Sequence, residues 1–344
     1  MPTDAATQNL DHMVNPLIVI PCLNEAGHIR QVLQQLLPSV TQIGGRIVVV
    51  DGGSTDGTLD IVEEFARVEG RISILHNPQK LQSAGINLAV EQDNGAATYL
   101  IRVDAHCSYP SDFCARLLEE AANVDAASVV VSMIATGDSV IQKINAAAQN
   151  SPLGNGGSKH RMSPRGQYVD HGHHALIHID AFKAVGGYDS TFSHNEDAEL
   201  DFRLHQAGHK IWLTASTVVK YFPRTSFQGL ARQYANHGRG RARNMLKHRV
   251  IPRLRQTKVM MVLPMVLLAV FSAFNPIAAF PAALWIIYCL VGGARLAIAH
   301  KKPQLIATAF SAMVMHLSWS FGFWAQIAKN LRSTAVPSQT RKTS

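Results

Sequence analysis

The chain is 344 residues long, 47% hydrophobic and only 16% charged, a length that accommodates one large domain or two ordinary ones with a substantial core. The scarcity of charge is uneven: from Val259 to Ala328 the only charged side chains are Arg295, Lys301 and Lys302. The formal charge of +8 is equally local, because Arg239 to Lys258 hold eight Lys or Arg and no acid, and without them the chain carries 24 charges of each sign. This excludes a broadly basic, nucleic-acid-coating surface and points to one local anionic partner.

Cys22, Cys107, Cys114 and Cys289 show no CxxC or disulfide-framework spacing, so free thiols in a reducing compartment are expected. The N-terminus is polar, with no apolar signal-peptide core, and the soluble part is expected in the cytoplasm.

In chain order, residues 1–15 are expected to be flexible. "LIVIP" (17–21) is an apolar run of strand length, and 26–37 has helical spacing with Ile29, Val32, Leu33, Leu36 and Leu37 on one face. "RIVVV" (46–50) is a β-branched strand running into Asp51 and the turn "GGSTDGT", after which 59–68 is an amphipathic helix. Strands are expected at 71–75, 99–103 and 128–132, with helices at 83–92 and 111–122. Continuous apolar runs alternating with helices predict a mostly parallel, Rossmann-like α/β sheet with helices on both faces. In such sheets ligands sit beyond the carboxyl ends of the strands. Three polar clusters lie at such ends: "PCLNE" (21–25), "DGGSTDG" (51–57) and "DAH" (104–106).

Residues 150–175, rich in Gly, Ser, Pro and His, read as a long loop of the functional or mobile kind. A short helix at 182–187, a helix at 196–207 with acids in its favourable first turn, and a strand at 210–213 follow. Beyond them, 259–274, 277–299 and 305–328 approach or reach the roughly 20 residues that a membrane span needs. The basic run before Lys258 and the Arg295–Lys302 link both favour the cytoplasmic side, which a hairpin turning at Asn275–Pro276 satisfies. A third span would place Lys329, Arg332, Arg341 and Lys342 outside, so a re-entrant or interfacial segment is the alternative. The expected divisions are a catalytic domain (16–235), a basic juxtamembrane segment (236–258), membrane-associated helices (259–328) and a basic tail (329–344).

Several side chains carry candidate chemistry. Asp51 either accepts from a base or ribose of a ligand brought close by the glycine turn, or closes an Asx turn with Thr55 or Asp56 capping the next helix. Asp104 and His106 suit a divalent ion held mainly by substrate phosphates, or form an ordinary strand exit. His171, His173 and His174 lack a second cluster at ligand spacing, which disfavours zinc. Glu196 and Asp197 offer a general base, or are simple first-turn acids. "QYANHGRGRARNM" (233–245) supplies phosphate-gripping arginines, or a stretch attracted to anionic lipid.

Taken in order, "VIPCLNEAGHI", "IVVVDGGSTDGT", "RVDAHC", "AFKAVGGYD", "NEDAELDFRLHQAGHKIWL" and "RQYANHGRGR" resemble the family 2 inverting glycosyltransferases of GT-A fold, over about residues 16–245. Within that family the chain is most similar to the ExoA-like membrane glycosyltransferases of succinoglycan-type exopolysaccharide assembly. The resemblance implies that Pro21, Asn24, Glu25, Asp51 and Gly53 line a uridine pocket, with Asp104 also binding the nucleotide sugar. It places Asp104 and His106 at the family's DxD, binding the diphosphate through Mg²⁺ or Mn²⁺, and makes Asp197 the catalytic base. Glu196, Gln233, Arg239 and Arg241 would serve the acceptor or diphosphate.

His106 departs from the second DxD aspartate, and the tryptophan of the QxxRW motif of processive members is missing. The resemblance therefore implies transfer of one hexose, with glucose as the expected sugar, from a UDP-sugar to a polyprenyl-diphosphate-linked saccharide at a bacterial inner membrane. Partners would be membrane lipids and other polysaccharide-assembly proteins, not nucleic acid. The alternatives are transfer to polyprenyl monophosphate and a non-catalytic nucleotide-sugar-binding scaffold.

Overall fold

The computed structural model describes residues 15–156 and 165–335. The expected flexible N-terminus up to residue 14, residues 157–164 of the expected loop, and the tail beyond Ala335 lie outside the described residues. The described residues form two compact units, one drawn from 15–136 and 165–222, the other from 137–156 and 223–335.

The first unit opens with the expected alternation: β1 (Leu17–Cys22), α1 (Ile29–Gln42), β2 (Arg46–Asp51), α2 (Thr58–Val68), β3 (Ile72–His76), α3 (Gln82–Gln92) and β4 (Tyr99–Arg102). The short β5 (Cys107–Ser108), α4 (Phe113–Asn123) and β6 (Ser128–Ala135) follow. The chain then supplies α5 (Val140–Gln149) and α6 (Pro152–Asn155) to the second unit. It returns to the first with β7 (Gln167–Tyr168), β8 (His173–His178), α7 (Ile179–Ala184), α8 (Glu196–Gln206) and β9 (Ile211–Tyr221).

The sheet runs β3-β2-β1-β4-β8-β6-β9-β5, with β7 on β9. β1 pairs in parallel with β2 and β4, and β2 with β3. Parallel pairing sends the carboxyl ends of β1, β2 and β4 to one edge, so the three polar clusters meet there. β8 runs antiparallel to both of its neighbours, β4 and β6, while β6 and β9 are parallel. The sheet is therefore mixed, and residues 173–175, expected in a loop, begin a central strand. Ala175, Leu176 and Ile177 are buried as a covered strand requires. The two histidines ahead of them disguise the apolar run. Because β8 is reversed, its beginning rather than its end lies at the edge that holds the polar clusters. Leu17, Val19, Val50, Ile86, Leu100, Val130, Ile177, Leu200 and Leu204 belong to one core cluster uniting the strands with α3 and α8.

The second unit adds α9 (Phe227–His248), α10 (Leu254–Met260), α11 (Val262–Ala269), α12 (Phe280–Ala299) and α13 (Thr308–Ala335). α9 is continuous across residue 235, where the catalytic domain was expected to end. Glycines bring α9 and α13 backbone to backbone: a Cβ on Gly238 would sit 2.0 Å from the Trp319 carbonyl oxygen, and one on Gly322 would sit 1.9 Å from that of Ala235. Such close small-residue crossings let two helix backbones gain dispersion contact. Three stretches, Leu254–Ala273, Pro276–Ala299 and Pro303–Arg332, are long and apolar enough to cross a membrane. Two buried polar side chains of α13 are paired within this unit. Ser311 donates to Asn145 Oδ1 at 2.8 Å, and His316 Nε2 lies 2.9 Å from the Leu153 carbonyl oxygen. No Asp or Glu occurs after Asp201.

Candidate active site

The loops after β1 and β2 are bonded to each other. The Asn24 N–H donates to Ser54 Oγ at 2.9 Å, and the Thr55 N–H donates back to Asn24 Oδ1 at 2.8 Å. The Glu25 N–H donates to Thr58 Oγ1 at 2.8 Å and the Ala26 N–H to Asp56 Oδ2 at 3.1 Å. Asn24 adopts the left-handed conformation (φ 59°), which asparagine tolerates better than most side chains. Asp51 is buried and accepts from the N–H groups of Gly53 (2.7 Å) and Ser54 (3.1 Å), an Asx turn. The residue before α2 is Gly57, not Thr55 or Asp56, and Asp56 instead accepts from the Thr58 N–H inside the first turn at 3.1 Å.

A cleft of about 160 Å³ opens beside these loops. Its lining includes Pro21, Glu25, Lys80, Gln82, Asp104 and His106. Of the residues expected around the nucleotide sugar, Pro21, Glu25 and Asp104 line this cleft. Asn24, Asp51 and Gly53 lie in the bonded loops that form its wall.

At the end of β4, Asp104 is held from several sides. Gln82, the first residue of α3, donates to Asp104 Oδ1 at 2.8 Å, and the Arg102 Nε donates to the same oxygen at 3.4 Å. His173 Nε2 lies 3.5 Å from Asp104 Oδ2. Burial alone would raise the Asp104 carboxyl, but Arg102, His173 and His106 outweigh it and hold the group well below the usual carboxylate range.

Arg102, buried in β4, also reaches α8: it donates to Asp197 Oδ1, to Glu196 Oε1 at 3.3 Å, and to the Tyr188 hydroxyl at 3.2 Å. Tyr188 in turn donates to Asp197 Oδ1 at 3.0 Å. Asn87 on α3 clamps the Tyr188 backbone, accepting its N–H at 2.9 Å and donating to its carbonyl at 2.7 Å. The neighbouring Gly187 makes the clamp possible, because it has φ +66° and a Cβ there would meet Asn87 Oδ1 at 2.7 Å. Burial and then the adjacent Asp197 push the Glu196 carboxyl above its ordinary range.

The three histidines of "HGHH" divide their work. His173 spans the site, with Nδ1 3.7 Å from Asp197 Oδ2, and burial lowers its pKa. His171 and His174 both pair with the buried Asp201 on α8, at 2.6 and 2.9 Å.

Among the described residues, no group of three His, Cys, Asp or Glu side chains is placed to hold a metal by itself. The donor set at the cleft is a carboxylate, Asp104, and an imidazole, His106, with His106 Nδ1 3.2 Å from Glu25 Oε1. An imidazole steadied by a carboxylate on one nitrogen is the usual surrounding of a metal-ligating histidine. The pair fits an ion whose remaining ligands come from a bound diphosphate.

Gln233, Arg239 and Arg241 lie on α9, in the second unit. Arg239 donates to Asn236 Oδ1 at 2.7 Å. The Arg241 Nε is buried and has no hydrogen-bond partner among the described residues. Burial, with Arg253 and Arg255 nearby, lowers its pKa to about 10.

Arg102, Tyr188, Gln82 and Lys80 are not among the residues expected from the sequence, and His173 was weighed there only as a loop residue and a disfavoured zinc ligand. The available signal was Arg102 itself. A guanidinium inside the apolar run "YLIRV" must be buried with its partners.

A mixed sheet whose parallel strands β1, β2 and β4 bring polar loops to one edge, a carboxylate–imidazole pair in the cleft and a second carboxylate cluster on α8 are the arrangement of a glycosyltransferase of GT-A fold. The Glycosyl transferase family 2 sequence profile matches residues 17–186. The chain is 50% identical to the succinoglycan biosynthesis protein ExoA of Rhizobium meliloti (strain 1021), over 93% of this chain and 97% of that one. It belongs to glycosyltransferase family 2 and is a glycosyltransferase. It is also 22% identical to a Methanococcus voltae dolichyl N-acetyl-α-D-glucosaminyl phosphate 3-β-D-2,3-diacetamido-2,3-dideoxy-β-D-glucuronosyltransferase, over 91% of this chain and 97% of the other. The fold matches the mannosyltransferase PcManGT from Pyrobaculum calidifontis, solved with GDP-Man and Mn²⁺, at TM-score 0.60 and 14% identity, covering 93% and 89% of the two chains.

Proposed function

We propose that this chain is a membrane-anchored inverting glycosyltransferase of succinoglycan-type exopolysaccharide biosynthesis. It moves a hexose, with glucose as the expected sugar, from a UDP-sugar to a polyprenyl-diphosphate-linked saccharide and forms a β-glycosidic bond. The observation that carries this reading is the 50% identity to the ExoA protein along nearly the whole of both chains. The Methanococcus relative, whose name describes a lipid-phosphate-linked sugar acceptor and a β-linked product, supports the acceptor class. Residues 16–235 would form the catalytic domain, 236–258 the basic juxtamembrane segment and 259–328 the anchor. The basic run supports a catalytic side facing the cytoplasm at the bacterial inner membrane.

In this reading the cleft holds the nucleotide, with Pro21, Asn24, Glu25, Asp51 and Gly53 forming or shaping its wall. Asp197 removes the proton from the acceptor hydroxyl as that oxygen attacks the anomeric carbon, and a single displacement inverts the configuration. Asp104 and His106 would hold Mg²⁺ or Mn²⁺, which when bound with the donor supplies Lewis-acid stabilisation of the charge leaving on UDP. Glu196, whose carboxyl is pushed above its ordinary range by burial and the adjacent Asp197, would serve the acceptor or diphosphate beside Asp197. Gln233, Arg239 and Arg241 would serve the acceptor or the diphosphate, and Arg241 brings a buried nitrogen that still has an N–H to give.

The test uses purified enzyme, a UDP-hexose panel and lipid extracts, with product linkage read by NMR. Asp197→Asn should retain UDP binding and lose transfer by about 10²- to 10⁴-fold. Transfer to polyprenyl monophosphate alone would replace the saccharide-acceptor reading, and binding without turnover in the wild type would leave only a scaffold.

A further inference from the structure

We infer that Arg102 is a positioning residue of the transfer reaction: its guanidinium fork orients the carboxylate of Asp197 and ties it to Asp104 at one fixed spacing. The inference rests on Asp197 being the base.

Arg102 is 5% exposed and sits between Ile101 and Val103, both fully buried. A guanidinium in such a place is tolerated only when its donors are paired. Here every pairing leads toward the reaction. Nε meets Asp104 Oδ1 at 3.4 Å on its own strand's exit. One terminal nitrogen meets Asp197 Oδ1 and the Tyr188 hydroxyl, and the other meets Glu196 Oε1 at 3.3 Å. The fork is planar and its donor directions are rigid, so it fixes the end of β4 and the first turn of α8 in one plane.

The groups that face Arg102 are Asp104 from the exit of β4, Glu196 and Asp197 from α8, and Tyr188 from the segment between α7 and α8. His173 of β8 stands across from it, 3.5 Å from the outer oxygen of Asp104 and 3.7 Å from that of Asp197. The base is thus held on one oxygen by Arg102 and Tyr188, and its other oxygen faces His173.

A purely structural role is the competing account: Arg102 would only neutralise three crowded acids. The two accounts separate because lysine keeps the charge but replaces the fork with a single point of donation. The experiment uses the full-length enzyme in detergent or nanodiscs and compares wild type, Arg102→Lys, Arg102→Gln and Asp197→Asn. Thermal unfolding, the Kd for UDP by calorimetry, and kcat and KM for the donor are measured on each.

Arg102→Lys is expected to fold, to bind UDP within about threefold of wild type, and to lose kcat by about 10- to 100-fold, because misplacing a reacting group costs turnover more than binding. Arg102→Gln should lose at least as much kcat. If Arg102→Gln does not fold, Arg102→Lys decides alone. If neither folds, Tyr188→Phe, which removes a group gripping both Arg102 and Asp197, must show the same kcat loss at unchanged Kd. Wild-type kcat in any folded Arg102 variant, or in Tyr188→Phe when it decides, overturns the inference. An inactive Asp197→Asn beside a fully active Arg102→Lys removes only the role given to Arg102. Wild-type turnover in Asp197→Asn removes the base reading itself.

Discussion

His174 Nε2 lies 2.9 Å from Asp201 Oδ1, with His174 fully buried and Asp201 1% exposed. The pair joins the start of β8 to the middle of α8. The same strand carries His173 and the same helix carries Asp197, so this contact sets how the two approach each other. On its other nitrogen His174 meets Ser128 Oγ at 2.9 Å, which anchors the imidazole to β6 as well.

The pair makes stability depend on pH in a defined window. Burial opposes the charge on His174, but Asp201 outweighs it and raises the histidine's pKa. Burial likewise opposes the charge on Asp201, yet His174 and His171 hold its carboxyl down to about 2. The histidine's contribution is present below its unfolded pKa of about 6.5 and is lost as pH rises through the raised value. The aspartate's contribution is present above about 4 and is lost as pH falls through about 2. Asp201→Asn should therefore lower Tm more at pH 6 than at pH 9. An equal loss at both would contradict a charged pair.

Tyr188→Phe removes the hydroxyl that Asp197 accepts and to which Arg102 donates. A hydrogen bond to a charged group is worth about 1.5–3 kcal/mol, so kcat should fall roughly tenfold or more. UDP affinity, read by calorimetry, should hold. A matching drop in affinity would mean that Tyr188 serves the donor instead.

Chelation with EDTA should abolish transfer, and Mn²⁺ should restore it. His106→Ala should weaken Mn²⁺ binding, followed by EPR in the presence of UDP, and Glu25→Gln should weaken it by about 10- to 100-fold through loss of the carboxylate that steadies His106. Full activity in EDTA would remove the ion from the mechanism.

In the second unit, Gly238→Ala and Gly322→Ala each place a methyl group about 2 Å from a backbone oxygen. The helices must separate, at a cost of at least the 1–3 kcal/mol typical of overpacking. Both variants should unfold at lower temperature in detergent, whereas Gly27→Ala, with open space around it, should not.

Much of the first unit is legible in the sequence because β1, β2 and β4 are covered on both faces and read as unbroken apolar runs. The edge where their polar clusters meet follows from parallel pairing alone. β8 is hidden because polar letters open it, although His174 is fully buried by virtue of Asp201, a partner 27 positions away in the sequence. Arg102 is hidden for the opposite reason: one charge in an apolar run is easily passed over, and its four partners come from three separate parts of the chain. The roles of Asn24 and Asp51 illustrate a further limit. Short polar side chains accept from neighbouring backbone as readily as from a ligand, and in the structure their oxygens close loops.

The bonds between the loops after β1 and β2 join residues 30 to 33 positions apart, directly above a ladder in which Cys22 stands opposite Asp51. A slip of one residue between these strands would turn every side chain to the wrong face and would also carry Asn24 away from Ser54 and Thr55. Correct strand alignment and a correctly shaped cleft wall are thus a single event. If the cleft holds the nucleotide as proposed, a misaligned chain would announce itself by failing to bind it, long before any sugar was transferred.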